Sequence, residues 1–199
     1  MKKIMAAAIM LVSSMAFAAD RPDDVPDTAA WFQYSGGCFW CTEADSEKLE
    51  GVYEAVSGFT GGTTPNPIYQ RGGWGDHREA AQIWYDPSVL DFADLVNHVY
   101  TTVDYQDNSG QFCDRGRSYE PAIYFTTEEE KAIAQDLAPE SSVVPIEPTS
   151  RFYPVRDDQQ GYYKGTLSQL KYRYYRLSCG RDGRIFDLQQ ERISAEDAA

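Results

Sequence analysis

The stretch GGCFWC, residues 36–41, sets two cysteines three positions apart behind a glycine pair, with Phe39 and Trp40 between them. Three kinds of chemistry use such a pair: a redox dithiol, half of a metal site, or one nucleophilic thiol with a cysteine neighbour. Cys38 follows the Gly36-Gly37 turn and opens a predicted helix, where free amide N–H groups and the helix dipole favour a thiolate, the reactive form. A merely buried cysteine would leave the glycines without a purpose. A metal would need two further ligands. Only His77, His98, Cys113 and Cys179 remain, with no second C-x-x-C and no H-x-x-x-H, so no metal is expected. As a thioredoxin-type dithiol the spacing is right, but Phe-Trp is an unusual interior pair and no proline-marked second loop follows. A lone nucleophile is the reading for which the chain supplies partners.

Those partners lie in polar segments. Glu79 stands at the start of a predicted strand beside His77 and Arg78, Tyr69 ends TTPNPIY, and QFCDRGRSYEPAIY carries Cys113, Asp114 and Tyr119. Alone, each is an ordinary surface group or turn cap. Together they are the groups needed to bind and protonate a polar oxygen. Phe39 and Trp40 read either as core or as an aromatic wall that receives a small apolar group.

The elements that must position these residues follow from pattern. WFQYSGG reads as a short strand meeting a turn. Residues 38–49 read as a helix, with Phe39, Thr42, Ser46 and Leu49 at helical spacing and Glu43 and Asp45 early, where the dipole favours acids. A glycine-bounded strand is expected over 51–62, a loop over 63–77, and a strand over 78–87 stopped by Pro87. Residues 88–103 form an amphipathic helix with Leu90, Ala93, Leu95, Val96 and Val99 inward. A polar loop over 104–118 leads to a strand at 119–125, a Thr-capped helix over 126–140 and a short strand at 142–148. After about residue 150 the chain reads as irregular and tyrosine-rich. The order β-α-β-β-α-β predicts an α+β two-layer sandwich with a ferredoxin-like split βαβ core and an irregular C-terminal tail.

The 199 residues fit one domain. Lys2 and Lys3, an apolar run and Ala16-Phe17-Ala18 read as a secretory signal cut after Ala18. This gives a signal peptide over 1–18, a mobile linker over 19–30 and a domain over 31–199. The apolar run is too short for a comfortable membrane span. A soluble, exported, periplasmic protein is expected, and in that compartment four cysteines can be structural or catalytic. The net charge of −13, or −15 without Lys2 and Lys3, speaks against nucleic acid and weakly against anionic lipid.

GGCFWC, GFTGGTTPNPIY, HREAAQIWYDPSVL, YEPAIYF and YRYYRLSCGRD together resemble the A-type peptide methionine sulfoxide reductases, from Gly36 to Tyr124 and again over 172–182. The resemblance implies that Cys38 attacks the sulfoxide sulfur and becomes a sulfenic acid. It implies that Glu79 is the proton donor, which requires a partly buried carboxyl with a raised pKa. Tyr69 and Tyr119 would hold the sulfoxide oxygen, with Asp114 beside them, and Phe39 and Trp40 would receive the S-methyl group. A second thiol then forms a disulfide, which an external thioredoxin-like reductant opens. Cys179, in a tail able to swing in, is the leading resolving thiol, followed by Cys41 and then Cys113. No cofactor is implied, and the S epimer in oxidised protein or peptide is the implied substrate. The chain departs from the family pattern at Cys41, where glycine is frequent, at Arg78, at Glu120 in place of arginine, and at Gln159 in place of histidine. The competing readings are a thiol–disulfide oxidoreductase using Cys38 and Cys41, and an inactive relative with structurally paired cysteines. A monomer is expected.

Overall fold

The computed structural model describes residues 17–70 and 74–196. The signal-peptide reading falls almost wholly outside those residues. The elements are β1 (Ala30–Ser35), α1 (Phe39–Ser46), β2 (Val52–Thr60), β3 (Arg78–Tyr85), α2 (Phe92–Thr102), the two-residue strands β4 (Gly110–Gln111) and β5 (Asp114–Arg115), a 3-10 turn (Arg117–Tyr119), β6 (Ala122–Phe125), α3 (Glu128–Asp136), β7 (Ile146–Pro148), β8 (Tyr153–Pro154), a second 3-10 turn (Asp157–Gln159), α4 (Ser168–Ser178) and α5 (Arg181–Glu196).

The main sheet runs β7-β6-β1-β3-β2-β8. Its inner four strands, β6-β1-β3-β2, pair antiparallel in the order expected of a split βαβ core. β3 lies between β1 and β2 and is buried along its whole length, as befits a strand covered on both faces. Strand alternation then sorts its side chains. Ala81, Ile83 and Tyr85 join Phe32, Tyr34, Ala55 and the α2 residues Leu95, Val96 and Val99 in the main core. By the same period of two, Glu79 points to the helix side, at the end of β3 that lies under the start of α1. On the opposite face Gln82 accepts from Gln33 Nε2 and from the Ala19 N–H. The stretch read as a linker therefore lies against the sheet, with Val25 buried.

Local chemistry explains the helix ends. α2 opens with Asp91 and α3 with Thr127, each in a reciprocal capping box with the residue three positions on. α1 is shorter than expected, ending at Ser46. Glu43 and Asp45 are not first-turn acids but buried, bonded groups. Glu43 accepts from Ser57 Oγ (2.5 Å) and Gly161 N (2.6 Å), which ties the 155–161 segment to α1. Asp45 accepts from Lys48 and Arg176 and lies 3.5 Å from Arg181. The chain beyond residue 150 is irregular only to about residue 167. Two helices follow, with large apolar side chains such as Leu170, Tyr174, Leu177 and Phe186 exposed. They are held by ion pairs and single buried side chains, Tyr172 and Leu188, rather than by an apolar stripe. Among the described residues no helix is long and apolar enough to cross a membrane.

Candidate active site

Cys38 is the N-cap of α1, with φ −54° and ψ 122° and no capping bond from its side chain. Its sulfur is therefore not spent on the helix. The turn before it needs glycine. Gly37 has φ +85°, and a Cβ there would stand 2.6 Å from Gln111 Cβ. That contact seats the 110–115 hairpin against the thiol's own turn. The Phe39 N–H, a free first-turn donor, gives its hydrogen bond to Glu79 Oε2 at 3.0 Å. Helix start and acid are thus coupled directly.

Glu79 is 2% exposed. Burial pushes its pKa up to about 8, and the negative fields of Asp114 and Cys41 push the same way against the Phe39 hydrogen bond. The group holds its proton at neutral pH. Tyr69 and Tyr119, both half-buried, face the same space. Burial first, and then the fields of Glu79, Asp114 and Cys38, raise both phenols, so each stays a neutral O–H donor. Arg117 Nη2 donates to Gly61 O and its Nε to Asp76 O, while Asp76 accepts from Thr63 and Thr64. These bonds tie both ends of the Tyr69 loop to the turn that carries Tyr119. His77 is buried and bonded through Nε2 to Thr64 O; it shapes this loop and does not face the thiol.

Phe39 is fully buried and belongs to an aromatic cluster that extends beyond Trp40. Phe39 packs on Tyr69 (5.4 Å between centroids), and Trp40 stacks on Tyr162 at 4.0 Å and 10°. Tyr175 meets Trp40 edge-on at 6.3 Å. Its hydroxyl donates to Asp114 Oδ2. Burial raises the Asp114 carboxyl. Tyr162 and Tyr175 escaped the sequence reading. The available signal was the spacing of Tyr172, Tyr175, Arg176 and Cys179, which puts all four on one face of a helix.

The thiols differ from expectation. Cys38 is 7% and Cys41 1% exposed. For Cys38, burial outweighs the helix dipole and holds the thiol protonated, with its hydrogen bond to Cys41 adding to the effect. Cys41 moves the other way. The bond from Cys38 lowers it, as do the Arg181 and Arg176 guanidinium groups, against the cost of burial. The two neighbouring thiols are thus pushed in opposite directions, Cys38 up and Cys41 down. Cys179 caps the end of α4 and is bonded to Cys113, with the Cα atoms 4.9 Å apart. The two charge departures at 78 and 120 compensate each other. Buried Arg78 lies 3.7 Å from Glu120 and grips Glu147 through two hydrogen bonds of 2.7 and 2.9 Å. Gln159 is buried and bonded to Asp158.

Among the described residues, Cys113, Asp114 and Cys179 are the one group with metal-ligand spacing. Its two sulfurs are joined to each other, which leaves a single carboxylate. The arrangement as a whole sets a thiol, a protonated carboxyl and two phenol donors around one small aromatic-walled space. It can deliver a sulfur nucleophile to an atom bonded to oxygen and protonate that oxygen as it leaves.

The family model for peptide methionine sulfoxide reductase matches residues 30–192. The chain is 37% identical over 181 residues to "Peptide methionine sulfoxide reductase MsrA 2" of Rhizobium meliloti (strain 1021), covering 86% of this chain and 90% of that one. It is 36% identical over 192 residues to the protein of the same name in Caulobacter vibrioides, covering 92% and 94%. Among solved structures it resembles methionine sulfoxide reductase A of Corynebacterium diphtheriae, with a TM-score of 0.65, 25% identity and coverage of 71% and 77%.

Proposed function

The chain belongs to the peptide methionine sulfoxide reductase family, and from that premise we propose how its residues divide the reaction. The enzyme reduces methionine sulfoxide to methionine at the expense of thiols. The sulfoxide enters with its methyl group against Phe39 and Trp40 and its oxygen toward Glu79, Tyr69 and Tyr119. Cys38 attacks and passes its proton to the Cys41 sulfur, the neighbouring thiol whose pKa is held below the usual thiol range. Glu79 protonates the oxygen as the S–O bond yields, which avoids an oxide leaving group. The oxygen ends on Cys38 as a sulfenic acid, the thioether departs, and the Cys38 proton returns to Glu79. A second thiol expels that oxygen as water and leaves a disulfide, which an external thioredoxin-like dithiol reopens.

The observation that carries this reading is the buried carboxyl of Glu79, hydrogen-bonded to the first amide of the helix that Cys38 caps and pushed up by burial to a pKa of about 8. A second cysteine in reach also suits a thiol–disulfide oxidoreductase, but two sulfurs this deeply buried are poorly placed to meet a protein disulfide directly. A fixed aromatic wall on one side and donors on the other suit one configuration at sulfur, and membership of the family makes it the S epimer. Assay with resolved S and R sulfoxide peptides under dithiothreitol tests this. Turnover of the S epimer alone, lost in Cys38→Ser, is expected; equal turnover of both epimers, or activity in Cys38→Ser, refutes it. The export reading rests on residues 1–18 and is checked by N-terminal sequencing of the protein from a periplasmic fraction. Ala19 at the N-terminus supports it, and an intact Met1 overturns it.

A further inference from the structure

Arg181 is a buried charge that neither packing nor its own helix explains. It is 2% exposed and is the first residue of α5. Taking a guanidinium out of water is costly, and a well-packed apolar side chain serves stability as well. A cation at a helix N-terminus also opposes the helix dipole. Its Nε finds no partner among the described residues. The reason for this residue therefore lies in what it touches rather than in the stability of α5.

Its contacts converge on the turn in front of the nucleophile. Nη1 donates to Gly36 O at 3.0 Å and Nη2 to Thr102 O at 2.6 Å. One planar fork thus bridges the turn before Cys38 and the end of α2, 145 and 79 residues away in sequence. A Cβ on Gly37 would stand 3.8 Å from Nη1, which puts the guanidinium next to the glycine pair. Asp45 of α1 lies 3.5 Å from Nη2. The guanidinium carbon is 4.6 Å from the centre of the Phe112 ring. Phe112 has φ +56°, a conformation that a phenylalanine keeps only where its surroundings enforce it. It stands at the corner between β4 and β5, two residues before Asp114. Gly180, with φ +68°, reverses the chain between α4 and α5 and so brings Arg181 back over the site.

We propose that Arg181 is a positioning residue for the reaction: from the C-terminal helix it pins the Gly36–Gly37 turn that presents Cys38 and the Phe112 corner of the hairpin that carries Asp114. The proposal rests on the reductase reading. The charge of Arg181 has a second effect, because it favours the thiolate of Cys41, the sulfur that takes the Cys38 proton in that reading. The other charged and titratable groups around the guanidinium are Asp45, Arg176, Tyr34, His98 and Asp114. Without Arg181 the field of Asp45, which disfavours the Cys41 thiolate, is opposed chiefly by Arg176. Loss of the fork should slow the chemistry at every pH, and loss of the charge should move the pH at which the thiol ionises. The two effects are separable.

The test follows single-turnover methionine formation from a sulfoxide peptide from pH 5 to 10 in wild type, Arg181→Met, Arg181→Lys and Arg184→Gln, with folding checked by circular dichroism. Asp45 keeps Lys48 and Arg176 as partners in the first two variants, so its carboxylate is not left alone. Arg184 lies one turn further along α5 and pairs with Asp104 at 2.8 Å, so Arg184→Gln loosens the helix without touching the turn. Arg181→Met is expected to be slowed by about 10²-fold, the scale of a reacting group displaced by about 1 Å, with half-saturating peptide little changed. Its acid-side limb should move to higher pH while the alkaline limb set by Glu79 stays. Arg181→Lys keeps the charge but not the two-pronged fork, so it should be slowed by about tenfold with both limbs unmoved. Arg184→Gln should keep close to the wild-type rate. A fall in rate without a moved limb in Arg181→Met, or as large a fall in Arg184→Gln, shows a merely structural role and overturns the proposal. Should Arg181→Met not fold, Arg181→Lys decides: a slowed rate with unmoved limbs supports the proposal, and the wild-type rate overturns it. No methionine from wild type would instead overturn the reductase reading itself.

Discussion

Glu79→Gln separates the shape of the site from its proton. Glutamine fills the same volume, and its oxygen can still accept the Phe39 N–H that Glu79 accepts at 3.0 Å, so the start of α1 should keep its place. What disappears is a transferable proton in a group 2% exposed whose pKa burial has pushed up to about 8. At pH 7 such an acid is about nine-tenths protonated, whereas an ordinary glutamic acid would be protonated to about 0.3%, a difference of roughly 300-fold in working acid. Loss of a positioned general acid costs about 10²–10⁴ in rate. Single-turnover methionine formation should therefore fall by about 10²–10³ in Glu79→Gln, with substrate affinity little changed. The sign of the pH effect follows from the raised pKa. The acid form is present below about pH 8 and is lost as pH rises through that value, so the wild-type rate should fall on the alkaline side, and Glu79→Gln should lack that limb. On the acid side the rate should rise as the Cys38/Cys41 pair loses its first proton, at a pH below that of an ordinary thiol, since Cys38, Arg181 and Arg176 all favour the Cys41 thiolate. The assay is rapid-quench chemistry from pH 5 to 10. A Glu79→Gln rate within tenfold of wild type, or a wild-type rate that stays flat to pH 10, would refute the reasoning.

Tyr69→Phe and Tyr119→Phe should each slow single turnover by about tenfold, with the double variant losing more than either, because both phenols serve one oxygen; an unchanged rate in the double variant contradicts this. Trp40→Ala removes the wall that stacks on Tyr162 at 4.0 Å, and steady-state kinetics should show KM rising more than kcat falls. Asp45→Ala leaves Arg181 buried without its carboxylate partner, so urea denaturation should report a loss of about 3–5 kcal/mol; a loss under about 1 kcal/mol would show that the ion cluster is not buried as described.

The β-α-β-β-α-β core was legible because its signals are local. Period-two strands, the inner face Leu95-Val96-Val99 and the Thr127 cap each declare themselves within a few residues. Cys38 was legible for the same reason, since its glycines stand beside it in sequence. Tyr69, Tyr119 and Asp114 sit in polar segments without periodicity, where residue type marked them as candidates and only the resemblance gave each a role. α4 and α5 were not read because their exposed faces carry Leu170, Tyr174, Leu177 and Phe186 while a single α4 residue, Tyr172, is buried. Leu170, Tyr174 and Leu177 do recur at helical spacing, but they face solvent rather than a core. The Cys113–Cys179 bond spans 66 residues, which spacing alone cannot pair. The ionisation of Cys38 was misjudged for a physical reason. The helix dipole contributes a fraction of a charge at the surface, and here burial and a neighbouring thiol outweigh it.

The most direct test of the account traps the oxygen on its sulfur. Reduced Cys41→Ser protein is mixed with one equivalent of S-sulfoxide peptide in the presence of dimedone, and the chain is mapped by mass spectrometry beside Cys38→Ser. One methionine per chain with the dimedone adduct on Cys38, and neither methionine nor adduct in Cys38→Ser, is the result the structure predicts. Methionine formed by Cys38→Ser, or an adduct on Cys113 or Cys179 in place of Cys38, would contradict the assignment of Cys38 as the atom that takes the oxygen.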